Sequence, residues 1–185
     1  MIKRLMRLVA TVLAMGMLAV GVIAVATPVP AEAGGLIDRW NRTTVYVVNE
    51  LDPTWPVTVA AGAWDTPSRL DLIVVDRCPV RTPSCIAVRR GRLHAETLGE
   101  TSTERDDLGR YSRATIMIND QIAPDYDASL KLLLVRHELG HALGFNHTRK
   151  DDVMNEKITE TGCPLLGYFH IHTLRRLYGP EQPGH

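Results

Sequence analysis

Three histidines and one glutamate lie within a single run of eleven residues, in a pattern suited to metal chemistry. Residues 137–147 read HELGHALGFNH. On a helix, residues four apart lie on the same face, so His137 and His141 can present two imidazole nitrogens to one metal ion. Glu138 follows the first of these histidines and can reach a water molecule beside that ion. The spacing therefore predicts a helix that carries a metal site.

The third histidine requires the chain to change direction. A ligand from the next turn of a straight helix would lie in line with the first two. Gly144 removes this difficulty, because glycine tolerates the left-handed conformation that commonly ends a helix. His147 can then reach the same ion. Three neutral imidazoles leave a fourth position for water, which is typical of a catalytic zinc site. We expect one zinc ion, bound by His137, His141 and His147.

These residues resemble the H-E-x-x-H-x-x-G-x-x-H motif of the metzincin zinc peptidases. Met154 follows at a suitable distance for the methionine turn of that family. The resemblance implies peptide-bond hydrolysis by a zinc-activated water, with Glu138 as general base and an extended peptide or protein as substrate. It also implies that Gly144 and Met154 support the site, with the methionine as an apolar floor.

The order of elements resembles the matrixin branch of the metzincins over residues 41–179. The resemblance implies an α+β domain with a mixed, twisted sheet, an active-site helix and a small C-terminal subdomain, with the cleft between them. The residue patterns predict helices around Val57–Trp64, after Asp127 or Ser129, and through Ile171–Tyr178. Strands are predicted at 43–49, 70–75, 85–89 and 113–119. No element is predicted for the polar segment 90–112.

The strand predicted at 113–119 comes directly before the metal-binding helix. By resemblance it would be the antiparallel edge strand above the cleft. A free strand edge can pair with an extended peptide through its backbone groups. Thr115, Ile116 and Met117 are therefore expected to bind substrate.

Residues 1–33 have the features of a signal peptide. Basic residues precede an uncharged apolar run at 8–27, and Ala31-Glu32-Ala33 follows as a cleavage pattern. Cleavage there would leave one catalytic domain, 34–185, secreted and without stable membrane association. The alternative is a membrane anchor through residues 8–27, with the domain outside the cytoplasm.

Three cysteines would lie in an oxidising compartment in either case. Cys78 and Cys85 flank a short loop, and closing a short loop loses the least chain entropy, so their disulfide is favoured. The alternative is a long-range bridge involving Cys163.

The remaining patterns limit cofactors and partners. The 21 basic and 21 acidic residues balance, and no basic stripe indicates nucleic acid. Asp106 and Asp107 offer only a weak calcium site, and His170 and His172 are expected at the surface.

We expect a monomer. Two other functions stay open: a zinc amidase acting on cell-wall peptides, and a secreted zinc-binding protein without catalysis.

Overall fold

Five strands form a single mixed sheet in the computed structural model, which describes residues 39–82, 84–94, 96–119, 121, 126–158 and 165–179. The strands are β1 (Thr44–Asn49), β2 (Asp71–Val75), β3 (Cys85–Gly91), β4 (Gly99–Arg105) and β5 (Tyr111–Asn119). Their order across the sheet is β2-β1-β3-β5-β4. The first three pairs in this order are parallel, and only β4 runs antiparallel, against β5. The sheet is therefore mixed, as predicted.

The antiparallel edge strand of the sheet differs from the strand predicted from the sequence. β5 lies between β3 and β4, and both of its sides are paired. The predicted edge position of residues 113–119 is wrong. The antiparallel edge strand of the described sheet is β4, within the segment for which no element was predicted. β4 escaped prediction because it reads GETSTER, without the apolar alternation that marks a half-buried strand.

The side chains of β5 alternate between the two faces of the sheet. Ala114, Ile116 and Ile118 are buried at alternate positions, whereas Thr115 and Met117 point to the opposite face and are half-buried. This alternation follows from the period of two in a strand. One face of the sheet thus faces the hydrophobic core, which the helices cover.

Three helices complete the described fold: α1 (Val57–Asp65), α2 (Ala128–Ala142) and α3 (Tyr168–Tyr178). Helix α1 buries Val57, Ala60, Ala61 and Trp64, the face predicted from their spacing. The Trp64 indole donates a hydrogen bond from Nε1 to the Arg136 carbonyl oxygen at 2.9 Å, and so joins α1 to α2. The described fold is consistent with the α+β class.

The two ends of the described chain meet beside helix α2. The backbone N–H of Trp40 donates to the Tyr178 hydroxyl at 2.9 Å, and the Trp40 indole donates to the Ala142 carbonyl oxygen at 3.1 Å. Both aromatic side chains are buried. These contacts hold the C-terminal end of α2 against distant parts of the sequence.

The predicted Cys78–Cys85 disulfide is confirmed. Cys163 and the predicted signal peptide, 1–33, lie outside the described residues. Within the described part of the chain, no helix is long and apolar enough to cross a membrane.

Candidate metal centre

Helix α2 begins with a side-chain cap. The Asp127 carboxylate accepts a hydrogen bond from the Leu130 N–H at 2.8 Å, as one of the two predicted caps would do. Nine of the fifteen residues of α2 are buried. The helix is therefore fixed in the core, and the histidines on it have little freedom to move.

Gly144 ends this helix in the conformation that glycine favours, with φ of 94°. Its N–H donates to the His141 carbonyl oxygen, and the Phe145 N–H donates to the Gly140 carbonyl oxygen, both at 2.9 Å. This pair of bonds is the Schellman motif, which satisfies the last carbonyls of a helix as the chain reverses. The reversal returns His147 toward α2.

The structure brings the three predicted ligands together. The Nε2 atom of His137 lies 3.0 Å from that of His141 and 3.1 Å from that of His147, and the last two are 3.0 Å apart. They form the one group of metal-ligating side chains found among the described residues. His137 is buried, His141 half-buried and His147 exposed, so the group opens to solvent on the side of His147.

The hydrogen bonds of two rings define where their protons lie. Nδ1 of His137 donates to the Val153 carbonyl oxygen at 2.9 Å, and Nδ1 of His141 donates to the Phe145 carbonyl oxygen at 2.8 Å. A neutral imidazole with its hydrogen on Nδ1 carries a lone pair on Nε2. Two such lone pairs face each other at 3.0 Å. A cation between them would remove the repulsion of these lone pairs, so this donor set suits a metal ion.

Burial favours the neutral form of His137 and His141. It lowers the pKa of His137 to about 3, with a further contribution from neighbouring His141. Burial also lowers the pKa of His141. Neutral imidazole is the form that binds metal.

The spacing is compatible with zinc. A tetrahedral ion with Zn–N bonds of about 2.0–2.1 Å separates its ligand atoms by about 3.3 Å, close to the observed distances between nitrogens. Three imidazoles leave one coordination position unfilled, which in zinc proteins is typical of catalytic sites. Imidazole also suits other divalent metals.

Glu138 lies beside the histidine cluster and against strand β4. Its carboxylate oxygen Oε2 accepts a hydrogen bond from the Thr101 hydroxyl at 2.6 Å. The side chain is only 3% exposed. Burial raises the pKa of the Glu138 carboxyl to about 7, and the Thr101 hydrogen bond opposes that shift. A carboxyl group with such a pKa can accept and release a proton near neutral pH.

A cleft of about 920 Å³ contains both the histidine cluster and Glu138. Residues of β4 form one side of it, including Gly99, Thr101 and Arg105. The other sides come from α2, from the segment after Gly144, and from residues 156–158. An extended molecule in this cleft would pass along the edge of the sheet and across the histidines.

The segment after His147 supports the site from the buried side. Met154 is fully buried, and a Cβ placed on Gly140 would come within 2.2 Å of its sulfur. Asp152 accepts hydrogen bonds from the Thr148 hydroxyl at 2.8 Å and from the Met154 N–H at 2.9 Å. The Val153 carbonyl that orients His137 lies between them in sequence. This turn therefore fixes one ligand and packs against α2.

Several predictions about individual residues change. Thr115, Ile116 and Met117 lie inside the sheet, and the edge position on which their predicted substrate binding depended belongs to β4 among the described strands. Asp106 accepts hydrogen bonds from the N–H groups of Leu108 and Arg110 in a turn, and the weak calcium site at Asp106 and Asp107 stays a prediction.

His170 was predicted at the surface, and this is wrong. Its ring is fully buried, 5.8 Å from Trp64 and 5.0 Å from Phe145 between ring centroids, and Nδ1 accepts a hydrogen bond from the Gly167 N–H. It lies four residues before buried Leu174, on the inner face of α3. His172 is exposed, as predicted.

Gly99 and Thr101 were missed as site residues. The usable signal was the recurrence of β-branched Thr101 and Thr103, which favours a strand. Only the pairing with β5 places that strand next to Glu138.

Comparisons with known proteins leave the family open. No family model matches the chain, and no curated protein matches it. A solved structure titled "GM1 bound form of the ECX AB5 holotoxin" contains a chain that is 16% identical, with a TM-score of 0.43. The match covers 78% of this chain and 78% of that chain. A likeness this weak carries no argument about fold or function.

Proposed function

We propose that this protein is a secreted, zinc-dependent endopeptidase of the metzincin type. The observation that carries the proposal is the convergence of three imidazole Nε2 atoms within 3.1 Å of one another, beside a buried glutamate and in an open cleft. A purely structural metal site needs neither an adjacent proton acceptor nor an open side.

His137, His141 and His147 would hold the zinc ion through Nε2. When bound, zinc would polarise a substrate carbonyl and lower the pKa of a water molecule toward about 7. The hydrogen bonds from Nδ1 to the Val153 and Phe145 carbonyl oxygens would keep the first two rings oriented.

Glu138 would act as the general base. Its carboxylate would take a proton from the water whose oxygen bonds to the scissile carbonyl carbon. As the C–N bond breaks, the same group would give that proton to the amine nitrogen, so that the carboxylate is restored. A carboxyl group can make both transfers, since it accepts a proton as a carboxylate and donates it as an acid.

Strand β4 would bind the substrate backbone. It is one of the two edge strands of the described sheet, and its residues line the cleft. An extended peptide can add to such an edge through main-chain hydrogen bonds. The position of this edge next to Glu138 would bring a peptide bond within reach of the base.

Hydrolysis of a mixed peptide library tests the proposal. We expect internal cleavage that stops when a chelator removes the metal and returns when zinc is restored. Cleavage that persists without metal would contradict the assignment. Inactivity toward peptides together with zinc-dependent opening of cell-wall amides would move the protein to the amidase class.

Secretion is tested separately at the N-terminus. If export and cleavage follow the A-x-A pattern, sequencing of the secreted protein should begin at or near Gly34. A membrane-bound form that retains Met1 would instead identify the apolar run as an anchor.

A further inference from the structure

Strand β4 contacts the carboxylate of Glu138 through a hydroxyl group. The Thr101 Oγ1 atom lies 2.6 Å from Oε2 of Glu138 and 3.2 Å from the main-chain carbonyl oxygen of the same residue. A hydroxyl has one hydrogen to donate. The shorter contact is to the group that carries charge, and hydrogen bonds to ionised acceptors are the stronger ones. The carboxylate is therefore the main acceptor.

Gly99 contacts the same carboxylate two residues earlier on β4. A Cβ placed on Gly99 would come within 2.6 Å of Oε1 and 2.8 Å of the carboxyl carbon of Glu138. Residues two apart on a strand lie on the same face. This face of β4 therefore has a space at Gly99 that the carboxylate fills, and a hydrogen-bond donor at Thr101.

The glutamate side chain rotates about several bonds, and a catalytic carboxylate must be held in one orientation. Ordering the side chain costs conformational entropy, and a buried carboxylate needs donors to replace water. Glu138 is almost fully buried, and the contacts from Thr101 and Gly99 meet its two oxygens separately. Together they define one orientation of the carboxylate toward the cleft.

We propose that Thr101 is a positioning residue for Glu138: its hydroxyl holds the carboxylate in the orientation needed for proton transfer, with Gly99 leaving the required space. The catalytic consequence rests on the proposed peptidase function. The contact itself is a property of the folded chain.

Substitution of Thr101 separates this role from simple packing. Thr101→Val keeps the shape and removes the donor, whereas Thr101→Ser keeps the donor and removes a methyl group. For Thr101→Val we expect kcat to fall about 10- to 100-fold, the size expected for one hydrogen bond to a charged group. KM and the zinc content should change less than about two-fold, because no histidine is touched. Thr101→Ser should retain kcat within about three-fold of wild type.

Thr66→Val is the matched control. Thr66 is an exposed residue at the end of α1, and its hydroxyl donates to the Gly62 carbonyl oxygen, away from the cleft. This variant should keep kcat, KM and zinc content. Equal losses of kcat in Thr101→Val and Thr101→Ser would overturn the proposal in favour of packing. Loss of zinc in Thr101→Val would also overturn it, since the effect would then pass through the metal centre.

A stability measurement on the metal-free, full-length protein does not depend on activity. The wild type, Thr101→Val, Glu138→Met and the double variant form a double-mutant cycle in denaturant unfolding. Glu138→Met keeps the side-chain length and removes the carboxylate, while the main-chain carbonyl remains in every variant. We expect a coupling of about ten-fold in the unfolding equilibrium constant.

Additive effects in this cycle would show that Thr101 acts through the main chain, and would overturn the proposal. If the wild type cleaves no peptide yet the cycle shows coupling, the peptidase assignment fails while the placement of Glu138 by Thr101 stands.

Discussion

The two walls of the cleft are encoded in different ways. The helix wall comprises α2 and the turn to His147, and its three candidate metal ligands lie within eleven consecutive positions. The strand wall is β4, and its contact with Glu138 joins residues 37 apart in sequence. Local spacing determines the first wall, whereas sheet pairing determines the second. A sequence motif therefore predicts the three histidines more readily than it predicts the residues of β4 that contact Glu138.

The largest expected effect comes from removing one metal ligand of the helix wall. In His147→Ala, zinc affinity should fall by more than about 100-fold, because loss of an outer partner alone typically costs 10–100-fold. Exposed His172→Ala should keep its zinc. Metal analysis after dialysis against a competing chelator compares the two variants. Unchanged zinc content in His147→Ala would show that the third ligand lies elsewhere.

The packing of α2 against Met154 can be tested by making the same glycine-to-alanine substitution in α2 and in α1. Gly140→Ala places a methyl group within 2.2 Å of the Met154 sulfur and 2.8 Å of the Trp64 ring. Overpacking of this kind should lower the free energy of unfolding by about 1–3 kcal/mol.

Gly62→Ala in α1 is the matched control, since nothing lies within 4 Å of the added Cβ. Alanine is the better helix former, so the free energy of unfolding should rise by about 0.5–1 kcal/mol. Denaturant unfolding measures both variants. Stabilisation in both would mean that Met154 does not pack closely beneath Gly140.

A smaller effect is expected from the contacts that join the helix wall to residues distant in sequence. Tyr178→Phe removes the acceptor of the Trp40 N–H and should cost about 1–2 kcal/mol of unfolding free energy at pH 8. Exposed Tyr168→Phe should change it by less than about 0.5 kcal/mol.

The Tyr178 effect should depend on pH. Burial raises the pKa of Tyr178 to about 12, above the unfolded value of about 10. The stabilisation that comes with the neutral phenol is thus complete below pH 10 and is lost as the pH rises through 12. The advantage of wild type over Tyr178→Phe should shrink across that interval, and a constant difference would contradict burial of the hydroxyl.

More of the fold than of the strand side of the site could be predicted from the sequence, and the reason is physical. The buried face of α1, the Asp127 cap of α2 and four of the five strands follow from local periodicity and capping. The edge position went to β5 instead of β4 because strand order depends on contacts between distant segments. The same cause hid Gly99 and Thr101, which become site residues only when β4 pairs with β5.

The inward position of His170 was missed for a related reason. The first turn of its helix reads YFHI, and the apolar Tyr168 and Phe169 there are exposed, so hydrophobicity did not mark the buried face. Packing against Trp64 and Phe145, far away in sequence, sets that face.

The central claim is that three histidines bind zinc while Glu138 performs the proton transfer. Glu138→Gln tests it most directly, because glutamine keeps the size and the acceptor for Thr101 but is not a base. Zinc content and peptide cleavage should be measured on the same preparations of wild type and variant. We expect one zinc ion per chain in both, and cleavage reduced by about 10²–10⁴-fold in the variant. Cleavage by a zinc-loaded Glu138→Gln protein within a few-fold of wild type would contradict the account.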